Sequence, residues 1–146
     1  MGTGAHTSDV VVDFGPQSYD FKVHYDGSIS GEQALTLLQN NSDFRYQAIT
    51  DPMYGDYLNG IDYGGYQHAG FDAASSSYWN YYLGDGTSWT YSQLGFQTRM
   101  LTDGSYDGWV WTGDPARTPN FATVPEPACV LAVGIIGVFF SRRRAK

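Results

Sequence analysis

Ring-bearing side chains gather in two stretches of this sequence, and they are the residues best suited to chemistry. Tyr78, Trp79, Tyr81 and Tyr82 stand close together, Trp89 and Tyr91 follow, and Trp109 and Trp111 come later. Flat apolar rings with polar tips stack on a sugar, a corrin or another planar ligand. In an extended chain alternate side chains point to opposite sides. Tyr78, Asn80 and Tyr82 therefore share one face, and Trp79, Tyr81 and Leu83 the other. An inward face has a core to fill, and core filling is the simpler reading of Trp79, Tyr81, Trp109 and Trp111. That leaves Tyr78, Asn80, Tyr82, Trp89 and Tyr91 as the candidate ligand-binding set. For Tyr78 and Tyr82, plain exposure explains the position as well as ligand contact does.

Catalytic patterns are missing from the sequence: it has no nucleophile elbow, no HExxH pair and no phosphate-binding loop. Glu32 is the only glutamate ahead of the tail, at a helix start where it complements the dipole. His6, His24 and His68 are far apart, and His24 falls on an outward strand position where solvation accounts for it. Asp56 and Asp62 flank Asn59, but the spacing misses the calcium-loop pattern. Asp-Gly pairs at 26–27, 85–86 and 103–104 read as turns. No catalytic residue, metal or cofactor is expected, with a hydrolase whose site is not recognisable as an alternative.

These residues must be carried by strands. Val10 to Phe14 is β-branched and apolar and is closed by Gly15-Pro16, while Phe21, Val23 and Tyr25 alternate with Lys22 and His24, so the two runs predict a hairpin. Ser30 is a helix N-cap with Gln33 at the capping-box position, and Ala34, Leu35, Leu37 and Leu38 supply the apolar stripe. Phe44, Tyr46 and Ala48 predict a third strand, Tyr54 to Ile61 a weaker fourth, and Asp62 to Ser77 a long ordered loop. Further strands follow at Tyr78 to Leu83, at Ser88 to Tyr91 and at Tyr106 to Trp111. One helix among strands, with no repeated βαβ unit, predicts an α+β fold: a small, mostly antiparallel sheet with one main helix over residues 9–112. Pro115 and Pro119 mark 113–124 as an extended linker.

Charge and composition narrow the class further. The chain carries a formal charge of −7, and four of its eight basic residues are Arg142, Arg143, Arg144 and Lys146, so the remainder is more acidic still. Such a surface repels nucleic acid. Thirteen Asp against two Glu, with eighteen Gly, favour turns and strands over helix. Cys129 is the only cysteine, which excludes an intrachain disulfide; it reads as an apolar filler, with lipid attachment as a lesser alternative.

The end of the chain is a polarity ladder: Pro125-Glu126-Pro127, an uncharged run from Ala128 to Phe140, and Arg142-Arg143-Arg144. The prolines stop a helix from running upstream, and the apolar run has no polar face, which favours a membrane helix at 128–140 over a core helix. Thirteen residues reach roughly 20 Å against a hydrocarbon core of about 30 Å, a gap narrowed by snorkelling arginines and local thinning. The arginines would stay cytoplasmic and the acidic domain would lie across the membrane. Export needs a signal that Met1 to His6 lacks. Thr3-Gly4-Ala5 has the form of a signal-peptidase site, so a longer reading frame ending its signal near Ala5 is expected.

The tail is similar to the PEP-CTERM sorting signal of Gram-negative bacteria, with Pro-Glu-Pro, an apolar helix and an arginine-rich end in order. The resemblance covers 124–146 and implies export, recognition by an exosortase in the inner membrane, removal of the tail, and a cell-surface or extracellular product. A second resemblance rests on Glu32 to Leu38, Tyr54 to Asp62, Tyr78 to Tyr82 and Asp103 to Trp111. In that order they resemble the β-grasp-like domain at the C-terminus of transcobalamin, found also in bacterial surface proteins. In the vertebrate carriers that domain closes over cobalamin against a helical partner domain, which has no counterpart in this sequence. The expected protein is a non-enzymatic surface module that binds an extracellular polysaccharide or a planar small molecule; the alternative is a structural component of an extracellular matrix without a specific ligand.

Overall fold

The structure, a computed structural model, describes residues 1–52 and 55–121. The Pro125-Glu126-Pro127 motif, the expected helix at 128–140, Cys129 and Arg142 to Arg144 lie outside the described residues, as does Tyr54.

Within them lies a sheet-rich α+β domain with one helix and mostly antiparallel strands. Strands β1 (His6–Asp13) and β2 (Ser18–Tyr25) form the expected hairpin, with Val10 opposite Phe21 and Val12 opposite Tyr19. Helix α1 (Gly31–Asn41) follows. Then come β3 (Arg45–Asp51), β4 (Gly55–Tyr63), β5 (Tyr66–Ala69), β6 (Tyr78–Gly84), β7 (Trp89–Tyr91) and β8 (Tyr106–Thr112). They make two sheets where one was expected. The larger has the order β2-β1-β8-β6-β7, with β1 and β8 parallel at its centre and the other pairs antiparallel. The smaller is the antiparallel meander β3-β4-β5, with a register shift between Gln47 and Ala48.

Helix α1 starts where its sequence says. Ser30 Oγ accepts from the Gln33 amide at 3.2 Å, and the Ser30 amide donates to Gln33 Oε1 at 2.8 Å, so two otherwise orphaned donors are satisfied reciprocally. At the other end Asn41 Nδ2 and Ser42 Oγ donate to the carbonyls of Leu37 and Leu38. Ala34, Leu35 and Leu38, one stripe at helical spacing, are buried against Val10, Val12, Phe21 and Val23 of the larger sheet. Each large side chain buried this way contributes about 1.5–3 kcal/mol.

The expected loop from Asp62 to Ser77 is corrected by β5. Gly64 and Gly65 both have positive φ, 62° and 86°, so a two-residue turn folds β5 straight back on β4, with Tyr63 opposite Tyr66. Two consecutive residues in that region fit the hairpin turn that matches strand twist, and glycine adopts it without steric cost. Tyr66 and His68 then point inward: Phe14 lies 5.6 Å from the Tyr66 ring, and His68 stacks on Trp111 at 4.6 Å. These rings seal the smaller sheet onto the larger one.

Residues 113–121 contain no strand or helix, but they are fastened across the outer side of the larger sheet. Arg117 Nη2 lies 2.6 Å from Asp13 Oδ1, the Asn120 amide donates to Asp13 Oδ2, and Phe121 stacks on Trp89 at 4.5 Å. Asp13 is buried, and these partners with the Gly15 amide are what make its charge tolerable there.

Candidate functional site

Between the two sheets opens a cleft of about 470 Å3, within the range of roughly 300–1,000 Å3 usual for small-molecule sites. Its floor is laid by alternate residues of the larger sheet. Trp79 and Tyr81 of β6 and Trp109 of β8 stand on core-facing positions, each less than one-tenth exposed, and Phe96 closes the inner end. Tyr81 and Trp109 stack at 4.3 Å with planes 14° apart, and Phe96 meets Trp109 edge-on at 5.6 Å.

The rim comes from the other elements. Tyr57 of β4, Phe71 after β5, Tyr78 of β6, Tyr91 of β7 and Leu94 beyond it all border the opening. These are five of the seven large apolar side chains exposed among the described residues, Phe71 the most at 63%. Exposed apolar residues scattered singly need no explanation, but five converging on one concavity do.

The polar groups of the cleft are few. Trp79 Nε1 donates to the His68 carbonyl at 3.1 Å, and the Tyr81 hydroxyl donates to Asp107, so these two floor rings have their polar tips already committed. Ser92 Oγ turns back to its own loop, donating to the Leu94 carbonyl and accepting from the Leu94 amide. Asp56 and Asn59 of β4 and the exposed hydroxyls of Tyr57, Tyr78 and Tyr91 at the rim supply further side-chain polarity, with Asn59 Nδ2 on Gln47 Oε1 at 3.0 Å. Among the described residues no Lys, Arg or His borders the cleft, and Asp56 is the one charged residue that does.

Beneath the floor lies a buried ionic cluster. Asp107 accepts the Tyr81 hydroxyl and stands 3.6 Å from Arg99 Nε, too far for a hydrogen bond to that nitrogen but close enough for an ion pair. Burial, opposed by the Tyr81 bond and the Arg99 charge, still pushes the Asp107 carboxyl above its ordinary value. Burial, then the Asp107 charge, raises the Tyr81 hydroxyl strongly. Gly31, the first residue of α1, packs on this pair, and a Cβ there would lie 3.0 Å from the Tyr81 oxygen. The Gly31 and Glu32 amides donate to the carbonyls of Arg99 and Phe96. The cluster therefore ties the helix start to the cleft floor through Tyr81, while Asp107 and Arg99 are not among the residues that line the cleft.

Of the five aromatic-strip residues picked out in the sequence, the structure brings two to the cleft, Tyr78 and Tyr91. Asn80 is buried and donates to the Thr112 and Tyr78 carbonyls. Tyr82 is buried beneath residues 113–121, its hydroxyl on the Arg117 carbonyl at 3.1 Å. Trp89 lies flat over β6 and β8, where a Cβ on Gly84 or Gly108 would come within 2.7 or 2.6 Å of its ring. Its indole nitrogen has no hydrogen-bond partner among the described residues. Trp111 is half-buried under His68. The sequence reading missed Tyr57, Phe71, Leu94 and Asp56. For Phe71 the signal was present: a large apolar ring directly after Gly70, in a stretch of small and polar residues.

Among the described residues no three His, Cys, Asp or Glu side chains come together as a metal site, and Asp56 and Asp62 stand on one strand. The geometry can hold a flat or rounded apolar body against rings. What fold and site define is a small α+β domain with an aromatic cleft between its sheets. Comparison with protein families finds no family whose pattern the chain matches, and comparison with curated proteins finds no match.

Proposed function

We propose that the chain is an exported cell-surface or extracellular protein, held briefly at the inner membrane by its PEP-CTERM-like tail, recognised there by an exosortase, and acting as a non-enzymatic binding module through the aromatic cleft. The observation that carries the binding part is the convergence of Tyr57, Phe71, Tyr78, Tyr91 and Leu94 around one concavity floored by tryptophans. Folding leaves this much apolar surface in water only at a cost, which a ligand removes. The β-grasp-like, transcobalamin-like part of the reading is supported by the β1–β2 hairpin, helix α1 after it, and the parallel pairing of β1 with β8.

Trp79 and Trp109 make the cleft observable. Titrating tryptophan fluorescence with cobalamin, haem and soluble glycans is expected to give saturable quenching with a member of that set, weakened by Phe71→Ala. Absence of any saturable response would favour the alternative, a structural component of an extracellular matrix with no specific ligand. The sorting part is tested separately in the native host. Replacing Arg142, Arg143 and Arg144 by Ser is expected to abolish the shortened surface form. Recovery of a full-length chain wholly from the cytosol would sink that part.

A further inference from the structure

The floor of the cleft offers a polar ligand little; the hydroxyls of Tyr57, Tyr78 and Tyr91 stand out at the rim. A sugar or a primary ammonium brings hydroxyl or N–H groups that lose water on entry and must find partners. Trp79 Nε1, the Tyr81 hydroxyl and Ser92 Oγ are already engaged with protein atoms. An anion is disfavoured twice over, since no cationic side chain among the described residues borders the cleft and residues 1–121 hold fourteen carboxylates against four Lys and Arg.

What remains attractive is the faces of the rings, negative at their centres, and one carboxylate. A cation without N–H groups is drawn to such faces and asks for no acceptor. We infer that the cleft selects a quaternary ammonium ligand, its methylated head against the rings of Trp79, Tyr81 and Trp109 with Asp56 as counter-charge, and its apolar body running out between Phe71 and Tyr91. The cavity of about 470 Å3 exceeds such a head, and the apolar rim is where the body would lie. The inference rests on the reading of the cleft as a binding site and adds the charge and chemical class of what enters it.

The test uses the full-length chain and a pair of probes alike in shape, choline and its uncharged isostere 3,3-dimethylbutan-1-ol, with laminaritetraose as the sugar arm. Choline is expected to quench tryptophan fluorescence saturably and to bind at least ~10-fold more tightly than the isostere. Asp56→Asn should weaken choline about 5-fold with an unchanged melting temperature, the effect of one partly screened charge. Tyr91→Leu and Phe71→Ala, on exposed rim positions that leave the core intact, should each weaken it as well. Equal binding of the isostere, or indifference to all three substitutions, overturns the inference. Laminaritetraose binding without choline binding overturns it too, while leaving the cleft as a site. Silence from every probe removes both.

Discussion

Asp107 and Asp85 are two carboxylates that the fold treats in opposite ways. Asp107 is held above its ordinary value of 3.8 by burial, so folding favours its protonated form. Its contribution to stability is fully present below 3.8 and is lost as pH rises through the raised folded value. In Asp107→Asn, stability should fall less as pH rises above 3.8 than in the parent, as read from urea midpoints; equal slopes would overturn that direction. Asp85 accepts from the Thr87 and Ser88 amides in the β6–β7 turn, and these bonds lower it to about 2. Its contribution is present above 3.8 and is lost as pH falls through about 2. Asp85→Asn keeps an acceptor for the turn and should remove that acid-side loss, measured the same way.

Helix α1 and strand β8 each depend on a single small feature. Ser30→Ala removes one arm of the capping box and is expected to cost about 1 kcal/mol in urea denaturation. Leu38→Ala, at the buried stripe, should cost about 2–5 kcal/mol. Gly108 is required by what lies on it, since Trp89 and Pro119 come so close that any Cβ must displace them. Gly108→Ala should therefore cost about 1–3 kcal/mol. In a Trp89→Leu background the same change should cost less, and a double-mutant cycle measures the difference. Additive effects would mean that the ring does not enforce the glycine.

Among the described residues, two sheets, one helix and the fastened strap of residues 113–121 share the work of burying both sides of the larger sheet. The inner side is covered by α1 and the β3-β4-β5 meander, and the outer side by residues 113–121. Arg117→Ala leaves the buried Asp13 without its cation and should destabilise the domain by about 1–3 kcal/mol, a loss that a free linker would not show. Thermal denaturation of the variant beside Lys22→Ala, whose partner ion pair has a mostly exposed lysine, gives the comparison. Asp9 is buried as Asp13 is, so a smaller loss in Lys22→Ala would reflect the exposure of its lysine.

Local chemistry was legible wherever one short segment contained its own instructions. The Ser30 and Gln33 pair announced the helix start, alternation in Phe21 to Tyr25 announced a strand with one buried face, and Val10 to Phe14 announced its partner. Strand β5 escaped because Tyr66-Gln67-His68-Ala69 has no β-branched residue and counts histidine as polar, although Gly64-Gly65 signalled the turn before it. Alternation separated Trp79 and Tyr81 from Asn80 and Tyr82, but it could not say which face borders the cleft. That depended on contacts between segments far apart in the chain: residues 113–121 covering Tyr82 on one side, and Tyr57 and Phe71 arriving beside Tyr91 on the other. Periodicity is a property of neighbours along the chain. A cleft is made by elements that meet only when the core closes, so its lining is written in no single stretch of sequence.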